Sequence, residues 1–129
     1  MVEIPADRRY AASHEWASKA DGLIVVGITD FAAQELGDLV FIDLPEVGSE
    51  VIGGERFGEI ESVKAVSELS APVSGKVIEV NQDIEENLET ISQSPYEDGW
   101  MIKIEPSDAT EFDDLLKGAD YERQLESDE

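Results

Sequence analysis

The chain has 129 residues, with 31 acidic against 9 basic side chains and a formal net charge of -22. Its length favours one compact domain with a core of its own, and the lack of cysteine excludes disulfides, thiol nucleophiles and Cys-ligated metals. Charge this negative repels phosphate backbones and anionic lipid, which argues against nucleic-acid and membrane-surface partners.

From the N-terminus, Met1 to Tyr10 carries neither a signal-peptide core nor a Ser-rich basic transit pattern. No later apolar run approaches the ~20 residues of a spanning helix. A soluble, cytoplasmic protein is therefore expected. Gly22 to Ile28 reads as a buried strand bounded by turn residues. Asp30 to Gly37 reads as a short helix, with Thr29 or Asp30 as its cap and Gly37 as its stop. Leu39 to Leu44 returns to strand, and Pro45 ends it because proline offers no N–H to a ladder. Arg56 to Val63, Ala65 to Leu69 and Lys76 to Val80 are further strands. Glu85 to Ile91 suits a helical turn, and Gly99 to Ile104 is the last strong strand. Ser107 or Asp108 starts a helix through about Lys117, which Gly118 breaks. Ala119 to Gln124 forms a terminal helix, and Leu125 to Glu129 frays. Short strands with Gly and Pro turns point to a mainly β sandwich or barrel, closed by a C-terminal helical extension over about 107–125.

An internal similarity fits that architecture. Gly37-Asp38-Leu39-Val40-Phe41-Ile42 resembles Gly75-Lys76-Val77-Ile78-Glu79-Val80, and Glu59-Ile60-Glu61 resembles Lys103-Ile104-Glu105. Two copies of one β-unit facing each other bury what neither buries alone.

Acidity of this order can signal disorder. Here hydrophobic residues make up 41% of the chain and fall in short regular runs, so it reads as a solvated surface over a folded core. Adaptation to high salt is one origin of such a surface; an ordinary acidic protein is the other.

The sharpest local feature surrounds Lys64. Reading outward from Lys64-Ala65, Val63 mirrors Val66, Ser62 mirrors Ser67, Glu61 mirrors Glu68 and Ile60 mirrors Leu69. That is the pattern of a β-hairpin with Lys64-Ala65 at its tip. Lys-Ala lacks the positive-φ residues of tight hairpins, and Glu61 opposite Glu68 places like charges together. Local rules broken together mark functional sites. A lysine on such a tip offers an amine that a modifying enzyme can reach, and acylation would turn it into a long neutral arm. The plainer reading is a solvated turn lysine.

The stretch from Phe57 to Gly75, FGEIESVKAVSELSAPVSG, resembles the lipoyl-attachment hairpin of the glycine cleavage H-protein family. Biotinyl and lipoyl carrier domains share its general form, and Glu61-Ser62-Val63-Lys64-Ala65 separates this family from them. The likeness continues through Ser13-His14-Glu15-Trp16, Gly27-Ile28-Thr29-Asp30-Phe31-Ala32, Gly37-Asp38-Leu39-Val40-Phe41 and the run from Ser94 to Ile104. It implies a barrel-sandwich hybrid of two antiparallel sheets with short peripheral and C-terminal helices. It implies lipoate in amide linkage to Lys64, attached by a lipoate-attaching enzyme. The arm would serve a pyridoxal-phosphate glycine decarboxylase (P-protein), a tetrahydrofolate-dependent aminomethyltransferase (T-protein) and dihydrolipoyl dehydrogenase (L-protein), the carrier itself catalysing nothing. The family's loaded arm folds into a surface cleft, and the matching positions here are Ser13, Glu15 and Glu68. Some members carry Asp at the Glu68 position and His at the Glu35 position, so this chain departs from them at both.

Other chemistry-bearing residues lack a constellation. His14 is the one histidine and has no Ser, Cys or ligand set beside it in sequence, so it reads as structural or surface. Trp16 and Trp100 read as core or core-edge aromatics rather than ring-stacking sites. Glu85-Glu86 and Asp113-Asp114 read as solvated surface, and Gly53-Gly54 lacks a P-loop context. The alternatives are a biotin carrier, an H-like lipoyl relay that hands lipoate to other carriers, and an unmodified acidic interaction domain.

Overall fold

The computed structural model of the protein describes residues 3–108 and 110–127. The strands are β1 (Arg9–Tyr10), β2 (Glu15–Ala20), β3 (Leu23–Ile28), β4 (Leu39–Asp43), β5 (Glu50–Val51), β6 (Arg56–Ser62), β7 (Val66–Ser70), β8 (Gly75–Val80), β9 (Ile102–Pro106) and β10 (Leu116–Lys117). The helices are α1 (Asp30–Leu36), α2 (Asp83–Glu86), α3 (Glu89–Gln93), α4 (Thr110–Asp113) and α5 (Gly118–Ser127). One sheet has seven strands in the order β10-β1-β2-β3-β9-β8-β5, and the other has three in the order β4-β6-β7. The pairings are antiparallel, so the expected mainly β fold of two antiparallel sheets with short helices is what forms. Among the described residues no helix is long and apolar enough to cross a membrane.

Alternation along the strands builds the main core. Ile42 of β4, Ile60 of β6, Val77 of β8, and Ile102 and Ile104 of β9 turn inward and are buried. Each such aliphatic side chain contributes about 2 kcal/mol on burial. A second, aromatic cluster of Tyr10, Trp16, Tyr96, Tyr121 and Leu125 fastens α5 to the seven-stranded sheet. Gly27 faces Trp16 across β2 and β3 because a Cβ there would lie 2.7 Å from the indole.

The internal similarity is structural. Leu39 pairs with Ser62, Phe41 with Glu61 and Ile42 with Ile60, with a bulge at Val40. Val77 pairs with Ile104, Glu79 with Lys103 and Val80 with Ile102, with a bulge at Ile78. The first strands match as the sequence similarity suggests. The second strands match two residues away from that alignment, Ile60 corresponding to Ile102 rather than Ile104. A shift of two keeps every side chain on its face, so the apolar pattern cannot distinguish the two registers.

The C-terminal segment differs from expectation. The helix read from Ser107 or Asp108 through Lys117 is a single turn, Thr110–Asp113, followed by strand β10. Tyr10 draws Leu116 into an antiparallel pair, and this tertiary partner overrides the local helical pattern. Gly118 opens α5 rather than breaking a helix. Leu125, expected to fray, is buried against the aromatic cluster. Ala109, Asp128 and Glu129, which those readings also included, lie outside the described residues, as do Met1 and Val2. Strands β1, β2, β5 and β10 were not among those read from sequence.

Candidate functional site

Strands β6 and β7 form the Lys64 hairpin, and a serine hydroxyl shapes its tip. The Ser62 N–H donates to the Ala65 carbonyl at 2.8 Å. In place of the reciprocal backbone bond, Ser62 Oγ accepts from the N–H groups of Lys64 at 3.3 Å and Ala65 at 3.1 Å. Its own proton can reach the Ala65 carbonyl at 3.3 Å. A side-chain oxygen thus substitutes for the positive-φ residues that tight hairpins demand. Among the described residues, non-glycine positive φ occurs only at His14 and Asp21, away from the tip.

Val63 and Lys64 therefore occupy the tip, where Lys64-Ala65 was expected. The pairing runs Glu61 with Val66, Ile60 with Ser67 and Glu59 with Glu68. The mirror pairs of the sequence are displaced by two residues because Ser62 closes the loop one position earlier. Glu61 does not face Glu68; Glu59 does. The Val63 N–H donates to the Asp38 carbonyl at 2.9 Å, which ties the tip to the turn after α1. Lys64 is exposed, and its Cε lies 3.7 Å from where a Cβ on Gly37 would sit. Its ammonium makes no ion pair or side-chain hydrogen bond among the described residues.

Beside this hairpin a cleft of about 260 Å³ opens between β2, α1 and β7, and its lining includes Ser13, Glu15 and Glu68. These three expected residues are brought together, and Glu35 of α1 also lines the cleft. Glu15 is almost fully buried. Ser13 Oγ donates to Glu15 Oε1, and the Ser70 N–H donates to Oε2 at 3.1 Å. Burial outweighs both bonds and pushes the Glu15 carboxyl up to about 7. Glu68 is exposed at the rim. Ile28, Phe31, Leu36 and Leu69 supply an apolar lining.

The far wall is fastened by Tyr121, which sequence reading left unassigned, together with His14, read as structural or surface, and Thr29, read as a helix cap. His14 Nδ1 lies 2.7 Å from the Tyr121 hydroxyl, and that hydroxyl lies 2.8 Å from Thr29 Oγ1. Thr29 caps α1 by accepting from the Ala32 N–H at 3.3 Å. The His14 ring also packs on Phe31, with centroids 5.0 Å apart. So α5 reaches through one hydroxyl to both β2 and α1. No local pattern announces this, because the three residues are distant in sequence. The backbone N–H of Ser70 likewise has no sequence signature.

A larger hollow of about 570 Å³ is lined by Glu50, Ser74, Lys76 and Glu105. It shares no residue with the hairpin tip or the cleft, so size alone does not locate the chemistry. Trp16 is buried and donates to the Pro95 carbonyl at 2.9 Å, while Trp100 lies under the Lys103 ammonium at 4.8 Å. Glu85, Glu86, Asp113 and Asp114 are exposed. The described residues contain no group of acids and histidine able to hold a metal.

Comparison with known proteins gives a consistent match. A family model described as glycine cleavage H-protein matches residues 8–128. The glycine cleavage system H protein of Anaeromyxobacter sp. (strain K) is 56% identical over 128 residues, covering 99% of this chain and 100% of that one. The corresponding protein of Oceanobacillus iheyensis is 53% identical over 121 residues, covering 94% and 96%. A crystal structure of a glycine cleavage system H protein from Mycobacterium marinum matches with a TM-score of 0.89 and 44% identity, covering 95% of this chain and 99% of that one.

Proposed function

The chain belongs to the glycine cleavage H-protein family, and on that premise we propose that it is the lipoyl carrier of the glycine cleavage system, with Lys64 bearing the arm. The observation that carries the assignment to Lys64 is its exposed, unpaired ammonium on a hairpin tip held by Ser62. An acylating enzyme meets an amine with no partner to displace. The family match favours lipoate over biotin, and glycine cleavage over a lipoyl relay.

When attached, lipoate supplies the pair of sulfur atoms that this cysteine-free chain lacks, for carrying a one-carbon amine and electrons. The protein's own residues position and shelter. The Lys64 stem lies over Gly37, beside the α1 wall of the cleft. Phe31, Leu36 and Leu69 restrict water there. Glu15, Glu68 and Ser13 offer acceptors to a cationic amine. A cation entering the cleft favours ionised Glu15 and draws its carboxyl back toward the ordinary range. The chain does no bond-making of its own in this reading. Its partners are the P-, T- and L-proteins and a lipoate-attaching enzyme, in the cytoplasm.

The test is intact mass and peptide mapping of protein from cells supplied with lipoate, with reconstitution of glycine cleavage. Wild type should carry the lipoyl mass on Lys64. Lys64→Arg should lose the adduct and the activity while melting as wild type does. Activity retained by the arginine variant would overturn the assignment.

A further inference from the structure

The outer face of the three-stranded sheet is banded in a way the fold does not require. Nearest the tip, one cross-strand row runs Phe41–Glu61–Val66. The next runs Asp43–Glu59–Glu68, three carboxylates side by side. Like charges opposite one another cost stability in a sheet, and among the described residues only Glu59 of the three has a cation, Arg56 at 3.6 Å. Phe41 is 49% exposed and Val66 61% exposed. Val63 at the tip and Val40 in the bulge are 69% and 53% exposed. The bulge is what puts Val40 and Phe41 on the surface in succession, where plain alternation would turn one of them inward.

The second half of the molecule serves as an internal control. Its matching bulge holds Ile78 and Glu79, and Glu79 pairs with Lys103 at 3.6 Å. The same backbone device is therefore satisfied by one aliphatic residue and a surface ion pair. Two adjacent exposed apolar residues with no ion pair occur at the copy beside Lys64, and two exposed valines flank the same tip.

We propose that Val40, Phe41, Val63 and Val66, backed by the Asp43–Glu59–Glu68 row, form the docking surface for the lipoate-attaching enzyme, which would meet them with an apolar patch flanked by basic side chains. This rests on the reading of Lys64 as the attachment site. Attachment joins the Lys64 nitrogen to the acyl carbon of an activated acyl donor. The donor's leaving group departs, and the ammonium sheds two protons. That enzyme must bring its acyl carbon to Nζ itself, and so must cover the surface within a residue or two of Lys64. Enzymes that act on the sulfur end of the arm work a full arm's length away and need not touch it. Charge complementarity fixes the partner's chemistry, since Asp43 and Glu68 of the carboxylate row are left to be neutralised from outside.

The experiment measures lipoylation rate against concentration of the unmodified protein, using a purified lipoate-attaching enzyme with its activated donor. Phe41→Ser and Val66→Ser should each raise KM about tenfold and leave kcat within about twofold. Ile78→Ser, at the matching bulge, should leave KM unchanged. KM for wild type should rise with KCl as the carboxylate row is screened. Melting of each variant shows that it is folded, and these side chains are exposed, so little loss is expected. Wild type lipoylated on Lys64 with an unchanged KM for both serine variants overturns the docking surface alone. Wild type left unmodified on Lys64 overturns the attachment reading, and this surface with it.

Discussion

The Glu15 carboxylate accepts the backbone N–H of Ser70 at 3.1 Å, so a buried acid of β2 is hydrogen-bonded to the end of β7 and ties the two sheets together. Its carboxyl is pushed up to about 7, chiefly by burial. In the unfolded chain the same group titrates near 4.5. The folded state therefore binds the proton more tightly, and its advantage is fully present below about 4.5 and lost as pH rises to about 7. The span corresponds to about 3 kcal/mol. Relative to wild type, Glu15→Gln should gain stability as pH rises through that window. Paired denaturant titrations at several pH values check this, and a constant difference between the two proteins would refute it.

Ser62 decides the geometry of the hairpin tip. Ser62→Ala removes the acceptor for the Lys64 and Ala65 amides. Both residues are exposed, so water takes over as acceptor and the cost stays near ~1 kcal/mol. The larger effect should be on order at the tip. Amide hydrogen exchange at Ala65 should accelerate at least tenfold, with exchange in β9 unchanged. Equal protection of Ala65 in both proteins would show that the hydroxyl is dispensable.

Tyr121 joins α5 to the cleft wall through one hydroxyl. Tyr121→Phe leaves the ring stacked on Tyr10, with centroids 4.9 Å apart, but removes the contacts to His14 and Thr29. A loss of about 1–3 kcal/mol is expected, because a buried threonine hydroxyl keeps the Ala32 N–H but loses its tyrosine partner. Unfolding by urea measures it; a change below a few tenths of a kcal/mol would exclude an anchoring role.

The excess of 31 acids over 9 bases leaves most carboxylates without a cation. Self-repulsion should fall as salt screens it, since the Debye length shrinks to about 3 Å at 1 M. The melting temperature should rise between low and molar KCl. A flat response would mean that the surface acids lie far enough apart to ignore one another.

What was legible in the sequence follows a physical division. Strands β3 and β4 announce themselves because each is an apolar run with Gly, Pro or Asp beside it, β6 and β8 because they mix apolar and charged residues at strand spacing, and α1 because Thr29 and Gly37 bracket it. β2 did not, since Glu15 is a buried acid and Ser18 and Lys19 blur the alternation. β1, β5 and β10 have two residues each, and such strands exist only through their partners. The hairpin was legible and its register was not, because sliding by two residues changes no side chain's face; the Ser62 hydroxyl made the choice. Ser13, Glu15 and Glu68 were found by family likeness, and the structure sets them around one cleft. Tyr121 was invisible because its importance lies in contacts made across the whole chain.

That distance along the chain sets an order of assembly. The hairpin of β6 and β7 is local, whereas β1 finds its outer neighbour only when Leu116 and Lys117 arrive to pair with Tyr10 and Arg9. During synthesis from the N-terminus, the strands that present Lys64 leave the ribosome well before β10 and α5 exist. Loop-closure entropy makes that last pairing the slow one. The tip is thus available while the cleft still lacks the Tyr121 anchor of its wall, and a chain cut short before β10 would keep the target of attachment without a finished shelter for the arm.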